Sequence, residues 1–541
     1  MKMTVSQAMV ECLKAENINV VYGYPGAAIC PFYDALLDAE NDIKQVLVRH
    51  EANGGHEANG YARISGKPAV CIATSGPGAV NLITAIATAH ADSIPVICIT
   101  GQVNTDQIGS DVFQEADITG AVEPFVKHSY LLKNPKDLAR VFKEAFYIAG
   151  SGRPGPVLVD VPMDVQKAVI DFEYPEKCEI RSYKPTTKGN YLQVKRVVKA
   201  LEKSEKPLIC IGGGVFAAKA QEEICQLAER MQIPVITTMM GISVFPNDNP
   251  LFFGMLGTHG VKQANKAVND CDALFLVGAR VGDRAVKTPL ALEKTTKILH
   301  IDIDPAEIGK NIGVDYPLVG DAKLVLQQML EIAPEMEHNE WLKKLDSYRT
   351  DQIFADVPEG TVNPRKFIDQ LAEKMPDNVN IVADVGQNQI WTCTGYKFRK
   401  GGRFLTSGGM GTMGYSVPAA IGAKMADESR PTVAICGDGA FQMQFMELAT
   451  AVQHGVDIKI VVMTNNRLGM VRELQTNGYN DRQTAVFLDG SPDFIKLADA
   501  YGIPAMRVYD DKTMNEAVDK LVNHKGIYLV EVVVDKNMPT L

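Results

Sequence analysis

Two short polar motifs near the carboxyl terminus have residue types and a spacing suited to binding a metal ion and a diphosphate. The stretch 431–473 reads PTVAICGDGAFQMQFMELATAVQHGVDIKIVVMTNNRLGMVRE. Asp438 offers a carboxylate oxygen, Asn465 an amide oxygen, and the chain around Arg467 a backbone carbonyl. Mg²⁺ prefers such oxygen ligands and commonly shares them with phosphate groups. The motifs therefore predict a metal-bridged diphosphate site, and an ordinary Gly-Asp-Gly turn is the alternative for GDG alone.

Two buried strands joined by a helix are needed to position these groups. Residues 431–436 and 458–464 are short apolar runs bounded by turn residues, which predicts strands, and residues 441–454 have helical periodicity. Parallel strands connected in this way end at the same edge of a sheet, where open α/β sheets bind ligands. Gly437 and Gly439 allow the backbone to approach a ligand closely, and the following helix offers free N–H groups to phosphate oxygens.

GDG followed at this distance by NN resembles the cofactor signature of thiamine diphosphate (ThDP) enzymes. The glycine-rich run 406–423 contains Met413. The resemblance to this class implies that Met413 supports ThDP in a bent conformation. The alternative for this methionine is a gap-filling core residue. The resemblance implies ThDP contacts from Glu51, Gly386, Gln387, Asn388, Gly411, Met413, Gly437, Asp438, Gly439, Ala440 and Asn465, and Mg²⁺ ligands from Asp438, Asn465 and Arg467.

Glu51 directly follows the predicted strand 45–48 and is the candidate acid–base residue. A ThDP enzyme needs a carboxylic acid beside N1′ of the aminopyrimidine, so that the 4′-amine can remove the C2 proton of the thiazolium. An apolar pocket that raises the pKa of this carboxyl would suit the task. The alternative for a lone glutamate after a strand is a solvated surface residue.

Composition is that of a large globular enzyme. Hydrophobic residues make up 46% of the chain and charged residues 22%, which is a globular composition. The length of 541 residues predicts three or four domains. A net charge of −10 without a basic block argues against nucleic-acid binding. Ten scattered cysteines without a CxxC pair, an amphipathic amino terminus (MKMTVSQAMVECLK) and no apolar run of spanning length predict a cytoplasmic protein without a signal peptide or membrane segment.

Alternation of strand and helix patterns predicts an α/β fold built from three doubly wound parallel-sheet domains of the ThDP enzyme type. The predicted division is an N-terminal pyrimidine-binding domain (1–165), a linker (166–190), a central Rossmann-like domain (191–345), a connector (346–360) and a C-terminal ThDP/Mg²⁺-binding domain (361–541).

Longer stretches resemble the catalytic subunit of acetolactate synthase over essentially the whole chain. They include GYPGAA, FQEAD, HIDIDPAEIGKN and LGMVRE. The resemblance implies decarboxylation of pyruvate and transfer of the two-carbon unit to a second 2-keto acid, pyruvate or 2-oxobutyrate. This is the first common step of branched-chain amino acid biosynthesis. The implied catalytic residues are Glu51, Gln114, Arg284 and the backbone N–H near Ala27, with the Arg284 fork holding the acceptor carboxylate.

The same resemblance implies a non-redox FAD in the central domain. The Gly212–Gly214 triplet that follows a predicted strand is by itself a weak dinucleotide signal. The alternative is a Rossmann-like domain without a ligand. The implied FAD contacts are Arg153, Gly213, Gly214, Met240, His259, Gly278, Arg280, Asp302 and Asp321.

Four features depart from the family pattern. Ala52 replaces a glutamine, Leu474 replaces the tryptophan that favours 2-oxobutyrate, Gly282 replaces an aspartate, and the chain ends at KNMPTL without the longer tail.

The alternative functions are a flavin-free catabolic acetolactate synthase, a pyruvate oxidase or another ThDP carboligase, or a non-enzymatic paralogue. The resemblance implies a homodimer or tetramer with sites at an isologous interface, and a possible regulatory small subunit.

Overall fold

A computed structural model describes residues 1–286, 288–350 and 354–541. Residues 351–353 of the predicted connector 346–360 therefore lie outside the described residues. Strand and helix patterns alternate along the chain, and each of three segments forms a six-stranded parallel sheet. The predicted fold class is confirmed.

The N-terminal domain contains a six-stranded sheet and a small antiparallel pair. Its strands are β1 (Lys2–Thr4), β2 (Val20–Tyr24), β3 (Lys44–Leu47), β4 (Ala69–Ala73), β5 (Val96–Gln102), β6 (His128–Leu131), β7 (Val157–Pro162) and β8 (Val169–Asp171). Its helices are α1 (Val5–Ala15), α2 (Cys30–Leu37), α3 (Glu51–Ser65), α4 (Pro77–Asn81), α5 (Ile83–Asp92), α6 (Ile118–Val122), α7 (Leu138–Gly150) and α8 (Met163–Lys167). The predicted linker 166–190 begins within α8 and contains β8, which pairs antiparallel with β1.

The central domain is a second α/β unit. Its strands are β9 (Pro207–Ile211), β10 (Val235–Thr237), β11 (Phe252–Met255), β12 (Ala273–Val277), β13 (Lys297–Asp302) and β14 (Tyr316–Val319). Its helices are α9 (Tyr191–Glu202), α10 (Gly214–Ala217), α11 (Gln221–Arg230), α12 (Lys262–Asp270), α13 (Pro289–Leu292), α14 (Ala322–Leu330) and α15 (Asn339–Asp346). The strand order β11-β10-β9-β12-β13-β14 is that of dinucleotide-binding domains, and it reverses between β9 and β12.

The C-terminal domain carries the two motifs described first. Its strands are β15 (Asn380–Ala383), β16 (Arg403–Leu405), β17 (Thr432–Gly437), β18 (Lys459–Thr464), β19 (Ala505–Val508) and β20 (Tyr528–Val533). Its helices are α16 (Pro364–Lys374), α17 (Gln387–Gly395), α18 (Ser416–Ala426), α19 (Asp438–Phe441), α20 (Leu448–Gln453), α21 (Gly469–Gly478), α22 (Phe494–Ala500) and α23 (Asp511–Asn523).

The N-terminal and C-terminal sheets have the same strand order. The orders are β3-β2-β4-β5-β7-β6 and β16-β15-β17-β18-β20-β19, which number as 2-1-3-4-6-5 within each domain. In both sheets the order reverses between the first and third strands. Ligands bind at such reversal points, beyond the carboxyl ends of the strands.

The prediction of a continuous helix over residues 441–454 is wrong. The structure has α19, a 3₁₀ turn at Phe445–Glu447, and then α20. The helix is interrupted at Gln444, whose backbone φ of −141° is not helical. Its buried side chain accepts the Val417 N–H (2.9 Å) and donates to Asp384 (3.0 Å). These tertiary bonds compensate for the interrupted helix.

Two helices cross at glycine contacts and join the N-terminal and C-terminal domains of the chain. A Cβ added at Gly422 of α18 would lie 1.8 Å from the Glu57 carbonyl oxygen of α3. A Cβ at Gly60 of α3 would lie 2.0 Å from the Ala419 carbonyl oxygen. The two backbones therefore approach as closely as only glycine permits.

The cysteine and membrane predictions concern the whole chain. All ten cysteines are unpaired, and Cys71, Cys98, Cys210 and Cys436 are buried as their apolar strands predicted. Within the part of the chain that the structure describes, no helix has the length and apolar character needed to cross a membrane.

Candidate active site

Asp438 lies at the carboxyl end of β17 and begins α19. One carboxylate oxygen accepts the backbone N–H groups of Asn465 (3.1 Å) and Asn466 (2.6 Å), and the other accepts that of Gly439 (2.9 Å). Burial raises the pKa of Asp438 to about 6, and the three backbone donors oppose this rise. Among the described residues, no lysine or arginine forms an ion pair with it. A cation bound here would stabilise the charged form.

Asn465 follows β18, the neighbour of β17 in the sheet. Its side-chain oxygen accepts the Arg467 N–H (3.0 Å), and its amide nitrogen donates to Gln387 (3.3 Å). Asn466 adopts a left-handed conformation (φ 53°), which turns the chain sharply after the strand. The structure thus brings Asp438, Asn465 and the Arg467 backbone to one edge.

Residues after β15 meet the same edge at the point where the strand order reverses. Gly386 has φ 144°, a conformation available to glycine but not to side chains with a Cβ. Gln387 is buried and donates to the Met538 carbonyl (2.8 Å). Asn388 donates to the carbonyl of Asp384 (2.8 Å), and its side-chain oxygen lies 3.4 Å from a Cβ added at Gly437.

The glycine-rich loop in residues 406–423 lies against the same edge of the C-terminal sheet. Met413 is half-buried, and its Cε lies 3.6 Å from a Cβ added at Gly439. Gly411 has φ 70°, and a Cβ added there would have no neighbour within 4 Å. Ala440, the next residue of α19, is buried. Space is therefore open beside the Gly411 backbone.

Asp384 holds the loop and was missed by sequence reasoning. It is fully buried and accepts the N–H groups of Val385 (2.9 Å), Gly414 (3.1 Å) and Ser416 (2.8 Å). Burial raises its pKa, and these donors oppose the rise. Its position at the end of a buried strand was the available signal, but a lone aspartate there does not reveal its partners.

Glu51 is the first residue of α3, at the carboxyl edge of the N-terminal sheet. It is half-buried, and its carboxylate accepts the Asn81 amide N–H (3.0 Å). A Cβ added at Gly78 would lie 3.2 Å from the other carboxylate oxygen. Asn81 is a further residue of this edge that the sequence did not single out.

Loop 74–78 brings two other predicted residues to the Glu51 edge. A Cβ at Gly26 would lie 2.5 Å from the Thr74 side chain, which places the exposed Ala27 beside the loop. Gln114 has φ 60° and lies 2.9 Å from a Cβ added at Gly76. Ala27, Glu51 and Gln114 are therefore grouped around one loop.

Within the described residues of one chain, Glu51 and the predicted metal ligands are not bonded to each other. No hydrogen bond or ion pair in the described ranges joins Glu51 to Asp438 or Asn465. Arg284 also stands apart, because 78% of its side chain is exposed and it pairs only loosely with Asp283 (3.6 Å).

The central domain groups its predicted glycines at the strand-order reversal. A Cβ at Gly214 would lie 2.8 Å from the Gly278 Cα, and one at Gly213 would lie 3.1 Å from the Met240 Cβ. Gly278 has φ 54°. Met240 also reaches the C-terminal domain, since its sulfur would lie 2.3 Å from a Cβ at Gly408.

The polar FAD candidates have differing partners and differing exposure. Asp302 ends β13, and burial raises its pKa to about 6. Arg153 forms ion pairs with Glu307 (2.7 Å) and Asp304 (3.3 Å). Asp321 caps α14 by accepting the Leu324 N–H (3.1 Å), Arg280 is exposed, and His259 is half-buried.

The groups at the C-terminal edge fit a hard cation and a diphosphate. Asp438 is a buried carboxylate without a cationic partner in the described ranges, and Asn465, whose side-chain oxygen accepts the Arg467 N–H, lies beside it. Clusters of three or more His, Cys, Asp or Glu side chains suited to a metal are absent from residues 1–286, 288–350 and 354–541. The predicted set instead relies on one carboxylate together with phosphate oxygens, as Mg²⁺ sites often do.

Three family comparisons match successive parts of the chain. Residues 3–121 match the "Thiamine pyrophosphate enzyme, N-terminal TPP binding domain", residues 194–329 the central domain, and residues 384–532 the C-terminal TPP binding domain. Together with the two ligand-binding edges, these matches define a thiamine diphosphate enzyme.

Similarity to individual proteins extends over nearly the full length. The chain is 44% identical to the "Probable acetolactate synthase large subunit" of Methanocaldococcus jannaschii, covering 98% of this chain and 92% of that protein. It is 42% identical to the acetolactate synthase of Arthrospira platensis (99% and 95% covered) and 42% identical to the acetolactate synthase large subunit of Corynebacterium glutamicum (96% and 84% covered). The chain belongs to the acetolactate synthase large-subunit family.

Proposed function

We propose that this chain is a catalytic subunit that joins two 2-keto acids with loss of CO₂. Pyruvate is the donor; a second pyruvate gives 2-acetolactate, and 2-oxobutyrate gives 2-aceto-2-hydroxybutyrate. The full-length similarity to acetolactate synthase large subunits is the observation that carries this proposal. The corresponding role is the first common step of valine, leucine and isoleucine biosynthesis.

The C-terminal edge holds the cofactor in this proposal. ThDP supplies the nucleophilic carbon and the electron sink that decarboxylation requires. Asp438, Asn465 and the Arg467 carbonyl hold Mg²⁺, and Met413 packs against the cofactor. The support is the pair of oxygen ligands that Asp438 and the neighbouring Asn465 offer, which suits a hard cation shared with phosphate.

The N-terminal edge supplies proton chemistry and substrate binding. Glu51 shares a proton with the aminopyrimidine nitrogen of the cofactor, while the N–H near Ala27 and the Gln114 amide orient the substrate. Arg284 holds the acceptor carboxylate through its planar fork. Because the Arg284 side chain extends into solvent, it can reach a substrate without breaking a buried ion pair.

FAD without a redox role is proposed for the central domain. The support is the glycine cluster of Gly213, Gly214 and Gly278 at the reversal point, a common dinucleotide position. The competing functions are a flavin-free catabolic acetolactate synthase and a pyruvate oxidase. A flavin absorption spectrum of the purified protein contradicts the first, and oxygen consumption with pyruvate supports the second.

The proposed active unit is a homodimer in which the N-terminal edge of one chain meets the C-terminal edge of the other. The support is that no hydrogen bond or ion pair joins Glu51 to Asp438 within one chain across the described ranges. Apolar side chains are also exposed near both edges, including Phe113, Met443 and Leu474. A regulatory small subunit is compatible with this arrangement.

A product assay tests the reaction. Purified protein is incubated with pyruvate, alone or with 2-oxobutyrate, in the presence and absence of ThDP and Mg²⁺. We expect 2-acetolactate only when both ThDP and Mg²⁺ are supplied, and acetate or acetaldehyde as the main product would contradict the proposal.

Glu51→Gln tests the acid–base role. Turnover should fall about a hundredfold or more, because the amide cannot share the proton. The matched control is Glu11→Gln on the exposed face of α1, which should leave turnover unchanged. Near-normal 2-acetolactate formation by Glu51→Gln would refute the assignment.

A further inference from the structure

A pair of buried carboxyl groups joins α3 to the C-terminal domain close to Glu51. Glu57 lies on α3, Glu447 ends the 3₁₀ turn Phe445–Glu447, and neither residue has exposed surface. The two carboxyl groups face each other. Burial raises the pKa of Glu57 well above its ordinary value, and the charge of Glu447 raises it further.

Hydrogen-bond donors are distributed unequally between the two groups. Glu447 accepts the Arg49 N–H (3.0 Å), the Asn53 amide N–H (3.0 Å) and the Thr450 hydroxyl (2.5 Å). Neither oxygen of Glu57 has a donor among the described residues, and neither reaches solvent. A buried carboxylate in that state is strongly disfavoured, so Glu57 is satisfied only as a neutral acid that donates its O–H to Glu447.

The other ionisable groups around Glu57 do not neutralise it. Arg49 contributes a distant positive charge that lowers the Glu57 pKa, but its guanidinium donates to Gln453 (2.7 Å). Tyr22 and Cys71 face Glu57 from the sheet, and burial raises the pKa of both, so they remain uncharged. A proton on Glu57 is the remaining means of avoiding two adjacent buried negative charges.

The bonds of Glu447 bracket the proposed catalytic glutamate. Arg49 precedes Glu51 by two residues and Asn53 follows it by two, and both donate to the same carboxylate. Fixing both sides of the first turn of α3 also fixes where the Glu51 side chain begins.

We propose that Glu447 is a positioning residue for Glu51, and that Glu57 carries the proton that allows the two buried carboxyl groups to remain paired. This proposal rests on the proposed function of Glu51. In this proposal Glu447 of the C-terminal domain is the ionised acceptor, and Glu57 of the N-terminal domain is the neutral donor.

Two matched substitutions test the asymmetry of the pair. Glu57→Gln keeps a neutral donor facing Glu447, so its turnover should stay within about twofold of the parent. Glu447→Gln removes the charge and half of the acceptor capacity that Arg49, Asn53 and Thr450 use. We expect turnover to fall about ten- to a hundredfold through misplacement of Glu51, with the KM for pyruvate and the calorimetric affinity for ThDP and Mg²⁺ within a few-fold of the parent.

Infrared spectroscopy detects the proton directly, without catalysis. The holoenzyme is labelled with ¹³C at the side-chain carboxyl of glutamate, so that buried aspartates do not contribute. At neutral pH we expect the carbonyl-stretch band of a protonated glutamic acid, which shifts on labelling and is lost in Glu57→Gln. Absence of the band, or its persistence in Glu57→Gln, would overturn the proton assignment even if Glu447→Gln does not fold.

The possible failures are distinguishable. An active Glu51→Gln variant would refute the role of Glu51, whereas the infrared band would still decide the state of Glu57. If Glu447→Gln retains full turnover, or weakens ThDP binding as much as it slows turnover, Glu447 is not a positioning residue for Glu51. Equal loss in Glu57→Gln and Glu447→Gln would contradict the asymmetric pair.

Discussion

Asp438 combines burial with three backbone N–H donors, and this combination sets its chemistry. Burial favours the neutral acid and the donors favour the carboxylate, and with burial the larger effect the pKa is raised to about 6. The sequence predicted the pairing of Asp438 with Asn465, because both follow buried parallel strands. It could not predict Asp384 or Glu447, since a single acid without a motif gives no indication of which distant donors it meets.

Asp438→Ala should abolish Mg²⁺-dependent ThDP binding. Removing a ligand carboxylate should weaken the calorimetric affinity by at least about 100-fold, the upper end of the cost of losing a supporting group at a metal site. The control is Asp519→Ala on α23, which removes an exposed carboxylate that pairs with Lys374 of α16. This variant should bind ThDP normally. Unchanged affinity in Asp438→Ala would place the metal elsewhere.

At the scale of elements, the crossing of α3 and α18 fixes how the first and last domains meet. The strands predicted over 431–436, 458–464 and 45–48 match β17, β18 and β3 to within one residue, but the prediction failed for the helix over 441–454. The failure has a local cause, because Gln444 leaves the helical conformation and uses its side chain to hold Asp384 and Val417. Periodicity reports which face of a segment is buried, but it does not report a tertiary hydrogen bond that interrupts the segment.

Gly422→Ala should destabilise the protein through this crossing. The added Cβ would meet the Glu57 carbonyl oxygen at 1.8 Å, so the helices must separate at a cost of about 1–3 kcal/mol. Gly478→Ala in α21 is the control, since a Cβ there has no neighbour within 4 Å. Thermal unfolding should show a lower midpoint only for Gly422→Ala, and equal midpoints would mean that the crossing adjusts freely.

At the scale of the molecule, two sheets share one strand order, and within the described residues no hydrogen bond or ion pair joins Glu51 at the edge of one to Asp438 at the edge of the other. Strand–helix alternation predicted three parallel sheets, which the structure confirms. The shared order 2-1-3-4-6-5 was not predicted, because strand neighbours depend on which helices cross the sheet and not on the strand sequences themselves.

Complementation between two inactive variants tests the dimeric active unit. Glu51→Gln and Asp438→Ala chains are co-expressed with different affinity tags, and the mixed dimer is purified through both tags. If each site combines the edges of two chains, one of its two sites is intact, and turnover should recover to about half that of the parent dimer. Homodimers of each variant are the controls. A mixed dimer as inactive as the controls would show that each site lies within one chain.

The bond between the Arg49 N–H and Glu447 has a consequence for synthesis of the chain on the ribosome. The two residues are 398 positions apart. At roughly 5–20 residues per second, about 20–80 s separate the emergence of the first turn of α3 from that of its acceptor. The N-terminal domain can form its own sheet during this interval, but Glu51 reaches its final setting only when the chain is almost complete. A nascent chain shorter than this would therefore carry Glu51, the proposed acid–base residue, without the Glu447 carboxylate that fixes its helix turn.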